Sequence, residues 1–306
     1  MRVLPTHNIP KELYSDDNTL FLPASLVIAY RHLLDGMGKL QEAINGTEDK
    51  NIHGGISKEE TVNHFVYRFI VSSGRMEYSC LAPSDDFSEI SDALLSTFSD
   101  GHIGYLDLAC GTGAACGTLL ATISSLRQRS CLPKLPLTVS IFCADYSKDA
   151  LSICSQMLES IKPDLDSQGI KIDFLVMEWD ATRGDHAAKI MDEWFLFADG
   201  ASEYVMGISN FSGALIKGKL LEHFEPCLEN MLSRLHDKKS TFFWIEPNTN
   251  DVSTSLFPRV VEFFSNRIPW FNKKKECVYV SKYKLSDPLS KKQFPSGVQI
   301  DKFVRC

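Results

Sequence analysis

Short apolar runs alternate along this chain with stretches whose apolar positions recur three and four residues apart. The run 103–110, held between Gly101 and Gly111, predicts a buried strand, and 114–129 the helix after it. A second strand falls at 138–144, behind a loop with Pro133 and Pro136. The next helix, 147–161, starts at Ser147 as an N-cap. Gly169 punctuates a third strand at 170–177. An amphipathic helix at 185–197 follows, then a strand at 203–209 and a long helix at 217–236. A very apolar fifth strand at 241–245 leads to a helix around 253–267. Such alternation implies a parallel sheet covered on both faces. The ending differs. Strands at 276–283 and 297–304 are joined by Pro288, Pro295 and Gly297 with no helix between them, so they form an antiparallel pair.

The first hundred residues predict helices at 24–44, 58–71 and 87–98, with Gly46 and Gly54-Gly55 between the first two. The expected layout is a helical N-terminal extension, 1–100, lying over the cleft of an α/β domain, 101–306. Segment 65–78 is dense in groups suited to a ligand. Tyr67 and Tyr78 each offer a ring with a polar tip, and Arg75 a fork that matches a carboxylate. The same segment also reads as a helix packing its aromatics and ending at Gly74 as a C-cap.

Gly111-Thr112-Gly113, directly behind the first strand, is the most informative stretch. Glycines let the backbone turn tightly, and the first turn of the following helix presents free N–H groups to a polar ligand. Asp107 is a carboxylate near the end of an otherwise apolar strand. Burial of that charge calls for a ligand or a ring of N–H donors. Leu106-Asp107-Leu108-Ala109-Cys110-Gly111-Thr112-Gly113 resembles the first motif of the class I S-adenosylmethionine (SAM) dependent methyltransferases, with Ala109 in place of the first glycine. The competing reading is a nicotinamide-dependent oxidoreductase. However, the glycines to Gly117 are spaced GxGxxxG, whereas the nicotinamide fingerprint is GxGxxG.

The resemblance implies a Rossmann-like doubly wound sheet with an antiparallel final strand, a fold that suits the chain's ending better than a plain dinucleotide fold. It also implies a cofactor held by Asp107, Ala109, Cys110, Gly111, Thr112 and Gly113 at its methionine end. Asp145, after the second strand, is placed to bind the ribose hydroxyls, and Tyr146 to stack near the adenine. Asp180 and Ala181, after the third strand, match the adenine-contacting loop. Asn210 and Phe211, after the fourth, point toward the reaction centre. Glu246, at the end of the fifth strand, is the candidate general base, with a capping turn at Glu246-Pro247-Asn248 as the other reading. The site therefore pairs Asn210 and Glu246 as catalytic candidates with Tyr67, Arg75 and Tyr78 on the substrate side.

Composition narrows the partners. With 306 residues, 44% of them hydrophobic, the chain buries a full core, and no run approaches the length of a membrane span. Nine cysteines without a CxxC pair, and no secretory pattern, fit reduced thiols in a cytoplasmic protein without a structural metal. Cys110, Cys143 and Cys154 lie where a small hydrophobe serves as well. The net charge of −7 hides an asymmetry: residues 267–306 carry +7 and residues 1–266 carry −14. The basic ending keeps RNA among the acceptors. The acidic body favours a small molecule or a protein side chain. No Asn-Pro-Pro-Tyr-like motif follows Ser209, which disfavours amino-methylation of DNA bases, and no Pro-Cys stands there for cytosine-C5 chemistry. The lack of any catalytic signature at that strand end leaves open a SAM-binding scaffold without catalysis.

Overall fold

The computed structural model describes residues 2–46, 57–248 and 279–305. Its centre is one sheet of eight strands in the order β1-β7-β8-β6-β5-β2-β3-β4. The strands are β1 (Thr19–Leu20), β2 (Gly101–Leu108), β3 (Leu137–Asp145), β4 (Ile170–Glu178), β5 (Glu203–Ser209), β6 (Ser240–Pro247), β7 (Tyr279–Ser286) and β8 (Gln293–Arg305). Strand β8 runs antiparallel to both β6 and β7, and the other pairings between strands are parallel. The fold is thus the expected Rossmann-like sheet with an antiparallel final strand.

Burial explains why the strands read as apolar runs. In β2 the six residues from Ile103 to Leu108 are all buried, because helices cover both faces. Strand β4 lies at the sheet's edge and alternates at its start: Ile170 and Ile172 are buried, Lys171 and Asp173 exposed. One core unites α1 (Ala24–Gly36), α3 (Lys58–Leu81), α5 (Ala114–Gln128) and α6 (Lys148–Ser167) through residues such as Leu26, Phe69, Leu119 and Met157. A second core joins α7 (Gly184–Phe197) and α9 (Leu221–Ser233) to the sheet through Trp194, Phe224 and Met231.

Several boundaries differ from the sequence reading. The helix expected at 24–44 is broken into α1 and α2 (Leu40–Asn45), with Gly38 at φ +66° between them. The helix expected at 217–236 is α9, preceded by a separate α8 (Ser212–Lys217) and a left-handed Lys219. Helix α6 continues beyond 161, through Pro163. The helix at 253–267 and residues 276–278 of the penultimate strand lie outside the described residues.

The N-terminal hundred residues contribute to the central sheet itself. Strand β1 pairs with β7 at Lys284 and Leu285 and so extends the central sheet. Helix α3 opens with a capping box in which Ser57 and Glu60 bond reciprocally. It passes straight through Gly74, the expected C-cap, and ends at the left-handed Ala82. Gly74 serves close packing: a Cβ there would lie 2.8 Å from Leu285 Cδ2. Helix α4 (Ser88–Thr97) lies within the predicted span.

Candidate functional site

Strand β2 is the point where the chain reverses direction across the sheet. Strands β3 and β4 extend to one side of it, and β5 and β6 to the other. In open α/β sheets the crevice outside the carboxyl ends at such a point is where ligands bind. The turn after β2 carries three left-handed residues, Ala109 (φ +54°), Gly111 (φ +54°) and Gly113 (φ +82°). The two glycines face different surroundings. A Cβ on Gly113 would come within 2.9 Å of Cys154 Sγ, whereas one on Gly111 would meet nothing within 4 Å. Gly111 therefore faces open space. Cys110 and Thr112 are buried beside it.

Asp107 sits beneath this turn, fully buried. Its Oδ2 accepts from Cys116 N at 3.3 Å, and Oδ1 has no partner among the described residues. Burial, with the Cys154 thiol nearby, pushes its pKa up to about 8. The carboxylate braces the start of α5 and does not line the open crevice.

Asp145, at the end of β3, holds the turn directly. Its Oδ2 accepts from Gly111 N at 2.8 Å and its Oδ1 from Ser147 N at 2.9 Å. Each carboxylate oxygen has a second lone-pair site, so two acceptor positions remain for hydroxyls. Burial raises its pKa, opposed by the N–H groups of Ser147 and Gly111. Tyr146 is 65% exposed, unusual for so large an apolar ring.

A hollow of about 470 Å³ opens beside Asp145. Tyr146, Ser147, Asp149, Glu178, Asp180 and His186 are among its lining residues. Asp180 accepts from Thr182 N (2.9 Å) and Thr182 Oγ1 (2.6 Å), which hold its pKa down, and its own N–H donates to His186 Nδ1 at 3.2 Å. Ala181 is buried behind it, and Trp179 buries an indole N–H with no partner among the described residues. Sequence reasoning reached Tyr146 and Asp180 but missed Trp179, Glu178 and His186. The six-residue step from Asp180 to His186, across a turn into α7, is the signal that was present.

The far side of the crevice is built around Asn210. Its left-handed backbone (φ +56°) follows β5, and its N–H donates to Ile245 O at 2.9 Å. Arg75 of α3 donates through Nη1 to Asn210 Oδ1 and through Nε to Gly297 O at 3.3 Å. Burial lowers the Arg75 pKa. At its other end, α3 meets the loop after β3, where Thr61 Oγ1 lies 3.0 Å from Ser147 Oγ. One helix thus bridges the β3 and β5 sides of the crevice. Phe211 packs its ring 6.1 Å from Trp179.

Three expected site residues are engaged elsewhere. Glu246 is fully buried and accepts from Phe211 N, Ser212 N, Ser212 Oγ and Trp244 Nε1 at 2.6–2.9 Å. Three of these donors reach Oε1 and one reaches Oε2, so the buried carboxylate caps the start of α8 and is not placed as a base. The helix that a capping turn at Glu246-Pro247-Asn248 would lead into lies outside the described residues. Burial nonetheless raises its pKa. Tyr78 is buried against Tyr283 (4.7 Å between stacked rings), and its hydroxyl bonds Ser281 and Asp86. Burial pushes its pKa up to about 12. Tyr67 donates to Glu42 Oε1 at 2.8 Å and ties α3 to α2.

No family model and no curated protein matches the chain. Among solved structures it is similar to a Listeria monocytogenes protein described as a class I S-adenosylmethionine-dependent methyltransferase. That match has 14% identity, covers 92% of this chain and 87% of the other, and has a TM-score of 0.38. It is also similar to cofactor-bound Rv0187 from MTB, at 8% identity over 87% and 89% of the two chains, with a TM-score of 0.32. A third is the glycopeptide N-methyltransferase MtfA complexed with sinefungin, at 10% identity over 70% and 81%, with a TM-score of 0.29. At these TM-scores the overlaps carry no functional argument.

Proposed function

We propose that this chain binds S-adenosylmethionine across the carboxyl ends of β2, β3 and β5 and transfers its methyl group to an acceptor. The observation that carries the reading is the union of Asp145 with the glycine turn. A carboxylate with acceptor capacity to spare is locked to Gly111, whose missing side chain leaves open space. Such a pair fits a ribose beside a polar, zwitterionic tail. The adjoining hollow, with the exposed Tyr146 ring and Asp180, fits an adenine edge. The GxGxxxG spacing and the antiparallel β8 favour this cofactor over a nicotinamide.

When bound, the cofactor supplies an activated methyl on a sulfonium. The chain's own contribution is position. Asp145, Gly111 and Gly113 hold and shape the polar side, Asp180 and Ala181 the ring side. Asn210, its carbonyl committed to Arg75, presents an amide at the end of β5. Helix α3, bridging the crevice, excludes water and orders the acceptor. With Glu246 committed to its cap, the reading favours an acceptor already nucleophilic at working pH, on a small molecule or a protein side chain.

Incubation with methyl-labelled SAM and fractionated small-molecule, protein and RNA pools tests this. Label entering one pool, and lost with Gly111→Val, supports it. SAM binding without label in any pool selects the second reading, a non-catalytic SAM-binding scaffold, which the engagement of Glu246 favours.

A further inference from the structure

Three cysteines from separate elements meet beneath the glycine turn, and a fourth lies on the helix that follows it. Cys110 lies in the turn itself, Cys116 in the first turn of α5, Cys143 in β3 and Cys154 in α6. The Sγ atoms of Cys110, Cys143 and Cys154 all lie within 4.8 Å of one another. The Cys116 thiol is buried on the helix turn that follows and donates to Gly113 O at 3.6 Å. None of the four is more than 5% exposed, and all are free thiols. Their wide spacing in sequence hides the cluster, which only the fold assembles.

Packing alone asks for small apolar groups here, and alanine or valine would serve. Three converging thiols, with a fourth on the adjoining helix turn, ask for something that binds sulfur. Thiolates select soft or borderline cations, and a four-sulfur set is the closed donor set of structural zinc. Zinc–sulfur bonds of about 2.3 Å place ligand sulfurs about 3.8 Å apart, so these three need to close by at most about 1 Å.

We propose that Cys110, Cys143 and Cys154, with Cys116 as fourth ligand, bind a Zn²⁺ ion. Each coordinating thiol loses its proton to solvent as its sulfur bonds the metal, and no oxidant or reductant is involved. The N-terminus of α5, which contributes Cys116, offers partial positive charge to the thiolate cluster. Because the sulfurs are buried, the ion is acquired as the chain folds. Its position ties β2, β3, α5 and α6 together under the turn. The link to the turn is direct, since Gly113 donates to Cys110 O at 3.0 Å and abuts Cys154. The site stands or falls separately from the cofactor reading.

The test is metal analysis of the full chain, produced in zinc-supplemented medium and purified with reductant but without chelator. Wild type and Cys227→Ser, whose thiol sits on α9 in the second core, should each retain one zinc per chain. Cys143→Ala should retain less than a tenth of that, while circular dichroism shows it folded. Wild-type protein refolded with Co²⁺ should show thiolate-to-cobalt charge-transfer absorption, which decides the matter even where Cys143→Ala fails to fold. Wild type that holds neither zinc nor Co²⁺–thiolate absorption overturns the proposal. Equal zinc in folded Cys143→Ala and wild type overturns it as well.

Discussion

The guanidinium of Arg75 donates to the side-chain carbonyl of Asn210, 135 positions later in the chain. That bond fastens a helix of the N-terminal hundred residues to the end of β5, on the side of the crevice opposite Asp145. Asn210 holds a left-handed backbone there, which asparagine tolerates and glycine adopts freely. Asn210→Gly and Asn210→Ala both release Arg75. Only the alanine also carries the backbone penalty, about 1–2 kcal/mol. Denaturant unfolding should rank alanine below glycine by that amount, and both variants should lose most methyl transfer.

The glycine turn separates folding from binding. Gly113→Ala forces a side chain against Cys154 at positive φ, and overpacking of that kind costs about 1–3 kcal/mol. Gly111→Val projects into open space, so beyond its backbone penalty it should leave the fold intact. Thermal melts should show the larger loss for Gly113→Ala. Cofactor titration should show binding lost in Gly111→Val while the protein remains folded.

Asp145→Ala removes the acceptor for Gly111 N and Ser147 N together with the proposed ribose ligand. SAM affinity should fall at least tenfold, about 1.4 kcal/mol. Burial raises the Asp145 pKa, and the ionised form is the one that accepts from hydroxyls at both oxygens. Wild-type affinity should therefore decline on acidification at a higher pH than a free aspartate would give. Titration calorimetry across pH reads that decline.

Glu77 is buried between α3 and α5, with Thr122 Oγ1 donating to one oxygen at 2.8 Å. Desolvation raises its pKa from 4.5 to about 8. A raised carboxyl pKa means the folded state holds the proton more tightly than the unfolded chain. Its stabilising effect is full below the unfolded value near 4.5 and is lost as pH rises through about 8. The slope in that window is about 1.4 kcal/mol per pH unit. Glu77→Gln should flatten this part of the stability profile, making the variant more stable than wild type at pH above the window. Urea unfolding at several pH values measures it.

The sheet was legible because strands covered on both faces must be continuously apolar, as from Ile103 to Leu108, and glycines close them at Gly101 and Gly111. The antiparallel ending followed from a connection too short and proline-rich for a crossover helix. What failed to show is long-range. Strand β1 has two residues and no pattern of its own, and its pairing with Leu285 exists only once β7 is in place. Gly74 reads as a helix stop until Leu285 is seen against it. Glu246 looks like a base at a strand end until burial and four donors, three of them on one oxygen, tie it to the start of α8. Asp145 and Gly111 were each legible as ligand groups, but their bond to one another was not. The thiol cluster lacks any local spacing signal.

Calorimetric titration of the wild-type chain with SAM, with S-adenosylhomocysteine and NAD titrated alongside, decides whether the crevice above the glycine turn holds SAM. Saturable micromolar binding of SAM and S-adenosylhomocysteine is expected, with none of NAD and with loss of the SAM signal in folded Gly111→Val. No heat with SAM from folded protein, or saturable binding of NAD in its place, contradicts it.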